Sequence, residues 1–443
     1  MFFMKHFQNF KWHNWSSTSN CSPERMYYPR SIEDVIEIVK AATENQQKIR
    51  VVGAGHSFTN LVMTEDWLVS LDYLSGVKEV DHKNHTVTVY GGTRLYDLSK
   101  ALEKLGYAQE NLGDINVQSI AGAISTGTHG TGIQFGSIST QVKEITFVTA
   151  GGNLLRLNEE NNVEEFKASL ISLGMFGIII EAKIRVVPSP VYRYISNHVY
   201  YPTLLNNLET YIQDNQHFEF FMFPYADQVQ TKTMNPTNTS PKSIKRHQWN
   251  NLIVENYMYQ AVSHLCLLYP SLTRSVSRLS AKLVSKSTID AKSYQLFATP
   301  RKVRFLEMEY GIPIEYFHDA IQEIRETIVK NQYKVHFPIE CRTVKQDDIW
   351  LSPSYKRDSA FIAFHVYKGM EYQTYFRDME AIMKKYNGRP HWGKLHQQKA
   401  KDLCEMYPKW DQFIQLRQQL DPERMFVNRY LDELFYTEEK VKV

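Results

Sequence analysis

Residues 51–57 read Val51-Val52-Gly53-Ala54-Gly55-His56-Ser57. Two β-branched residues end a strand predicted over Lys48 to Val52. Two glycines then clear side chains from the backbone, as a positive-φ turn or a closely approaching group requires. Glycines placed after a strand mark a cradle for a phosphate or cofactor. His56, held on that turn, turns a generic cradle into a candidate attachment point. Taken alone, a histidine on a tight loop is more often structural than chemical, so the stretch takes its meaning from the segments around it.

Before it, Arg30 to Gln46 carries a helical apolar face (Ile32, Val35, Ile36, Ile38, Val39) with Ser31 as N-cap. After it come a short apolar run, Trp67 to Leu71, and a hairpin of Val77 to Val80 and Thr86 to Val89. His82 and His85 lie in that hairpin's turn and read as turn residues, not metal ligands. Gly91-Gly92-Thr93 closes the strand, and Leu95 to Leu105 is a helix stopped by Gly106. Further strands are predicted over Val142 to Thr149 and Phe176 to Val187, with Gly151-Gly152 a hairpin turn after the first. Pro188 and Pro190 then read as a domain boundary.

Residues 191–388 are richer in aromatics and alternate strands with helices. Phe218 to Phe223, Val335 to Ile339 and Phe361 to Val366 read as strands, Thr231 to Lys245 as a polar loop, and Leu252 to Ser285 and Tyr316 to Asn331 as helical. Arg274, Arg278, Lys282 and Lys286 give the first helical stretch a basic side, which reads as a solvated face or as peripheral contact with an anionic surface. The last segment, from Pro390 to Leu431, follows no linker and is expected to pack back on an earlier domain.

Bulk properties bound the function. A chain of 443 residues exceeds what one core normally serves, so two domains are expected. A net charge of +3 is too small to argue for nucleic acid. Cys21, Cys266, Cys341 and Cys404 form no Cys-x-x-Cys pair, so neither a zinc site nor a disulfide framework is supported, which fits a reducing, cytoplasmic compartment. The N-terminal Met1-Phe2-Phe3-Met4-Lys5-His6 has no signal-peptide pattern, and no apolar run is long enough for a membrane span. The nearest candidate, Tyr257 to Thr273, carries Gln260, Ser263, His264 and Pro270 and reads as a buried or interfacial helix.

A second glycine-rich segment reads Gln118-Ser-Ile-Ala-Gly-Ala-Ile-Ser-Thr-Gly-Thr-His-Gly-Thr-Gly132. Its small residues and the hydroxyls of Ser119, Ser125, Thr126, Thr128 and Thr131 suit a pyrophosphate. It holds no Gly-Lys-Ser/Thr and no Gly-x-Gly-x-x-Gly between strand and helix, which excludes a Walker loop and a dinucleotide fingerprint. Ile120, Ala121, Ala123 and Ile124 interleave apolar residues that a flexible linker would not need. Later, Glu340-Cys341-Arg342 follows the strand Val335 to Ile339, and alternation puts the two charges on one face. Such a pair can orient a polyhydroxylated ligand through charge-assisted hydrogen bonds.

With Asn111–Gly132, Glu340–Arg342, Pro390-His391-Trp392-Gly393-Lys394 and Asp421–Leu431, the glycine-histidine turn resembles flavoproteins of the vanillyl-alcohol oxidase type, in their sugar-1,4-lactone oxidase and alditol oxidase branch. The resemblance implies an α+β fold with an FAD-binding domain over 1–190, an antiparallel-sheet cap over 191–388 and a C-terminal segment, 389–443, returning to the first domain. It implies FAD bonded covalently to His56. Around the FAD it places Gly53, Ala54, Gly55, Ser57, Gly113, Asp114, Ser119, Gly122, Ser125, Thr126, Gly127, Thr128, His129, Gly130 and Ile179. On the substrate side it places Glu340, Arg342, Lys394 and His365. Arg342 is also expected to stabilise negative charge on reduced flavin. Asn428 and Tyr430 are expected to be structural. No metal is implied.

The implied reaction oxidises an aldono-1,4-lactone of the L-gulono or D-arabinono type by hydride transfer to flavin N5, with dioxygen giving hydrogen peroxide. Gly113 matches the family position where a larger residue hinders dioxygen, so oxidase behaviour is expected. Asp114 falls where alditol oxidases carry Ser, which speaks against an alditol such as xylitol or sorbitol as substrate. That polyol activity, or a flavin-binding protein without turnover, is the alternative.

Overall fold

Ser31 accepts a hydrogen bond from the Asp34 amide at 3.1 Å and starts the first long helix, Ile32–Glu44, whose buried face carries Val35, Ile38, Val39 and Ala42. The protein is described here by a computed structural model, which covers residues 6–436 apart from 9, 246–248, 250–255, 285 and 299–300. Most of the N-terminal hexapeptide, residues 252–255 and 285 of the predicted helical stretch, and residues 437–443 lie outside the described residues.

The helix packs on a four-stranded sheet ordered His6–Phe7, Arg25–Tyr27, Trp67–Ser70, Ile49–Val52, in which Trp67–Ser70 runs parallel to both neighbours. An antiparallel five-stranded sheet follows, ordered Leu154–Asn158, Val142–Val148, Ile178–Arg185, Thr86–Tyr90, Val77–Asp81. The helices Leu95–Lys104 and Ile120–Thr126 and the C-terminal helices Ala400–Met406, Trp410–Leu420 and Arg429–Phe435 share one core with it. From the C-terminal segment, Met425 and Phe426 are buried beside Ile49 and Val69.

The third layer is an eight-stranded antiparallel sheet ordered Ser287–Lys292, Val191–Tyr200, Gln228–Pro236, His217–Met222, Ile339–Val344, Ser359–Tyr367, Phe305–Pro313, Arg389–Pro390. Strand alternation gives it two unlike faces. Phe218, Phe220, Met308, Tyr310, Cys341, Ile362 and Phe364 point into a core shared with the helices Phe317–Asn331 and Gln373–Lys385. The opposite positions are charged or polar: Glu219, Lys232, Glu307, Glu309, Glu340, Arg342 and His365. That face turns toward the glycine-rich segments.

Four expectations change. Thr231 to Lys245 is not one loop, because Gln228–Pro236 is a nine-residue strand paired along its length with Val191–Tyr200; Thr231 and Thr233 pair with Phe220 and Phe218 across the sheet, and threonine suits a pleated surface. Glu340 and Arg342 do not follow a strand over Val335 to Ile339 but lie inside the strand Ile339–Val344. Pro338 has no N–H to give a ladder, so pairing begins after it. The glycine-rich segment contains a helix, Ile120–Thr126, capped by Ser119 and ended by Gly127 at φ +71°. The strands Val191–Tyr200 and Phe305–Pro313 add to those read from the sequence.

Arg50 ties chain segments far apart in sequence. It is 3% exposed and donates to the carbonyls of Leu61 (2.8 Å), Leu173 (2.7 Å) and Phe426. Removing it leaves buried carbonyls unpaired, so Arg50→Met is expected to lower unfolding free energy by about 3 kcal/mol in denaturant titration.

Candidate active site

Between the sheet layers lies a cleft, open at its mouth, that holds about 1510 Å³ of space counted together with the solvent in its opening. Its walls come from Val51–Phe58, Gly91-Gly92, Gly113–Ile115, Gln118–Thr128 and His391–Lys394. Glycine is required where these segments meet. A Cβ on Gly53 would lie 2.3 Å from Ser119 Oγ, one on Gly91 2.2 Å from the Ile179 carbonyl, and one on Gly92 1.8 Å from the Leu71 carbonyl. Backbone therefore lines the cleft at close quarters, with short hydroxyls between, as a dinucleotide with a pyrophosphate needs.

His56 stands at one wall. Gly55 accepts from Trp15 N at 2.8 Å, Ser57 O accepts from Asn14 Nδ2 at 2.9 Å, and the Trp15 ring stacks on His56 at 5.3 Å between centroids. Burial pushes the imidazole down to about 4, with Lys394 and Arg94 adding to the effect. The ring is therefore neutral at physiological pH, which leaves one nitrogen with a free electron pair.

The loop from Pro390 to Lys394 joins the sheet to the glycine turn. His391 N donates to Glu309 O and Leu395 N to Glu307 O, both at 2.9 Å, while Phe58 N donates to Gly393 O at 2.7 Å. Lys394 is thereby fixed over the charged face, its Nζ 2.5 Å from Glu307 Oε2. His365 Nε2 lies 3.5 Å from the other Glu307 oxygen, and its Nδ1 meets Pro338 O at 3.0 Å. Arg342 pairs with Glu340, with Glu219 through Nε at 3.0 Å, and with Asp114 at 3.4 Å. Arg301 holds the second Asp114 oxygen at 2.6 Å, and Lys232 holds Glu219 at 3.3 Å. His129 Nε2 lies 3.2 Å from Glu309 Oε1.

Burial would neutralise these carboxyls, and neighbouring cations decide which stay ionised. Arg342 and Arg301 outweigh burial at Asp114 and hold it well below the carboxylate range. Lys394 and His365 do the same for Glu307, and His129 and Lys394 for Glu309. In return, Glu307 raises Lys394 and His365 against their own burial. Glu340 is the exception. Burial, opposed by Arg342 but reinforced by Asp114 and Glu219, pushes it up to about 7. One carboxyl in this cluster can thus exchange a proton near neutrality.

A second chamber, of about 1450 Å³, adjoins the cleft. Asp114, Ile115, Arg342 and Lys394 line both spaces, so these residues form the shared wall. Glu340 and His365 face the chamber, while Gly53 to Ser57, Gly113, Ser119, Gly122, Ser125, Thr126, Thr128, His129 and Ile179 face the cleft. Three expectations are corrected. Gly127 ends the helix and packs toward Ile171, and Gly130 is pressed against Leu112 O and Asn111, so neither lines the cleft. Thr131 is buried with its hydroxyl on the Phe218 carbonyl, tethering the segment to the sheet. Asn428 caps the last helix and donates to Asn60 O and Met63 O, a structural position.

Sequence reasoning missed Glu219, Lys232, Arg301, Glu307 and Glu309. For two of them a signal existed. Phe305-Leu-Glu-Met-Glu-Tyr-Gly-Ile-Pro313 alternates, with Glu307 and Glu309 on one face and Leu306, Met308 and Tyr310 on the other.

A glycine-lined cleft roofed by a sheet with a buried ionic face defines an FAD-dependent oxidoreductase of α+β architecture. Residues 23–158 match the FAD binding domain family, and residues 182–434 match the D-arabinono-1,4-lactone oxidase family. L-gulono-1,4-lactone dehydrogenase of Mycobacterium tuberculosis is 38% identical over 95% of this chain and 97% of its own. L-gulonolactone oxidase of Bos taurus is 32% identical over 97% and 99%. D-arabinono-1,4-lactone oxidase of Kluyveromyces lactis is 37% identical over 75% and 67%. Cholesterol oxidase of Brevibacterium sterolicum shares the fold, with a TM-score of 0.84 over 98% of both chains at 18% identity. The chain belongs to the D-arabinono-1,4-lactone oxidase family.

Gly53→Ala displaces the Ser119 hydroxyl, which caps the helix Ile120–Thr126 at the meeting of the two glycine-rich segments. The flavin-to-protein absorbance ratio of the purified variant is expected to fall below that of the wild type; an unchanged ratio would show that this contact does not shape the cleft.

Proposed function

We propose that the protein oxidises a secondary hydroxyl of an aldono-1,4-lactone of the L-gulono or D-arabinono type. In this reading residues 1–190 with 389–443 hold FAD, and residues 191–388 cap it. The observation that carries the reading is the shared wall, where Arg342, Lys394 and Asp114 stand between the glycine-lined cleft and the chamber bearing Glu340 and His365. FAD held by the glycine-rich segments of the cleft would supply the two-electron acceptor for the hydride of the carbinol carbon, with dioxygen as the terminal oxidant and hydrogen peroxide as its product.

The chain's own residues bind, orient and move the proton. Lys394 and Arg342 present fixed N–H donors to ring and hydroxyl oxygens, and they need no reorganisation because their carboxylate partners already hold them. The same two cations favour negative charge on the neighbouring ring system. Glu340 takes the hydroxyl proton, since its carboxyl titrates near neutrality, where a general base works best. His365, anchored by Pro338 O and Glu307, positions Lys394 through their shared carboxylate. Gly113 presents no side chain beside the cleft, which supports access of dioxygen.

We further propose that FAD is bonded to His56. Its neutral ring, stacked on Trp15 and with no hydrogen-bond partner on either nitrogen among the described residues, supports that role. After acid precipitation the wild type is expected to give a yellow pellet with added FAD mass, and His56→Ala a colourless one. A colourless wild-type pellet from a flavin-loaded sample overturns the attachment. Anaerobic mixing tests the substrate: L-gulono- or D-arabinono-1,4-lactone should bleach the flavin faster than xylitol or sorbitol, and preference for the polyol overturns the lactone assignment. The kcat/KM for the lactone should rise with pH through a limb near 7, as the Glu340 carboxyl ionises. In Glu340→Gln the limb should disappear and the rate fall by roughly 10²–10⁴-fold. Gly113→Ala should slow reaction with dioxygen while sparing reduction of an artificial dye.

A further inference from the structure

The chamber is ionic at one end only. The sheet face that carries the charges changes character within a few positions. Along His217–Met222, Glu219 is followed on the same face by Phe221, and Phe223 continues the series. Along Phe305–Pro313, Glu309 and Glu307 give way to Phe305. With Phe337 below and Tyr259, Val262 and Val276 from the roof helices, these side chains enclose the chamber's far end. Polar groups there are turned to other partners. The Tyr259 hydroxyl donates to His336 O at 3.4 Å, which leaves its ring to the chamber. Gln230 Nε2 donates to Ser196 Oγ at 2.9 Å, and Asn256 Oδ1 accepts from Lys302 N at 2.7 Å. Among the described residues, Ser280 is the remaining polar side chain at that end.

An unsubstituted aldonolactone has an oxygen on nearly every carbon, and it finds charged partners only where Glu340, Arg342, His365 and Lys394 stand. With its reacting hydroxyl, beside the carbonyl, at the shared wall, such a ring leaves the far end to water. Water there meets too few polar partners to be held. An apolar group in the same place instead removes aromatic and aliphatic surface from water. The ring chemistry also says where that group is attached. The exocyclic carbons lie across the lactone ring from the reacting hydroxyl, so they project from the shared wall toward the far end.

Resting on the lactone reading above, we propose that the preferred substrate is an aldono-1,4-lactone with an apolar group, such as an acyl chain, on its exocyclic hydroxyl. The ring lies on the ionic end and the chain among the aromatic walls. Anaerobic mixing of the flavin-loaded protein with L-gulono-1,4-lactone or with its 6-O-octanoyl ester tests this. The ester should reach its half-maximal bleaching rate at a concentration at least about tenfold lower than the parent lactone. In the double variant Val262→Asn, Val276→Asn, the ratio of the two concentrations should shrink at least about threefold, because an amide now faces the chain. Taking the ratio within one protein cancels any loss common to both compounds, and flavin absorbance with the thermal transition reports that the variant is folded. The wild-type ratio needs no variant, so misfolding of the double variant leaves the test intact. A wild-type ratio of one, or preference for the parent, overturns the inference and leaves the lactone reading standing. So does a tenfold ratio that the folded double variant keeps, which would put the octanoyl chain elsewhere. Failure of both compounds to bleach the flavin overturns the lactone reading and this inference with it.

Discussion

Arg342 holds the site together. Its guanidinium is almost wholly buried, and it reaches Glu340 on its own strand, Glu219 on the neighbouring strand and Asp114 on the glycine-rich segment. A charge removed from water is costly unless its partners are close and themselves satisfied. Here two partners have a second cation, Lys232 for Glu219 and Arg301 for Asp114, while burial pushes the Glu340 carboxyl up to about 7. The same contact fixes the sheet against the layer that frames the cleft, so the ionic face and the cleft share one constraint.

The sheet shows why part of this was legible and part was not. Glu340-Cys341-Arg342 is short enough for alternation to place both charges on one face, and that placement is what the structure shows. The strand's start was misplaced, because an apolar run reads as strand whether or not Pro338 lets it pair. Glu219 and Lys232 become neighbours only through the register of His217–Met222 with Gln228–Pro236, a long-range pairing that no local pattern encodes. The short helix at Ile120–Thr126 was hidden for a different reason. Its glycine, serine and threonine residues are poor helix formers, and tertiary burial of Ile120, Ala123 and Ile124 decides the matter.

The glycine-histidine turn was legible as a cradle but not as part of an assembly. Asn14 and Trp15 hold it from one side and the Gly393 carbonyl from the other. Its histidine owes its neutral state to that burial and to Lys394, which lies more than three hundred residues away in sequence. Packing thus keeps the His56 side chain unprotonated, a state that the turn's own sequence does not encode.

Arg50 donates to the Phe426 carbonyl across 376 positions of sequence, and both residues belong to the layer that frames the cleft. A ribosome delivers Arg50 376 positions before the carbonyl that it needs. This wall of the cleft is therefore tied down only after Phe426 has left the exit tunnel, and until then the buried guanidinium lacks one of its partners.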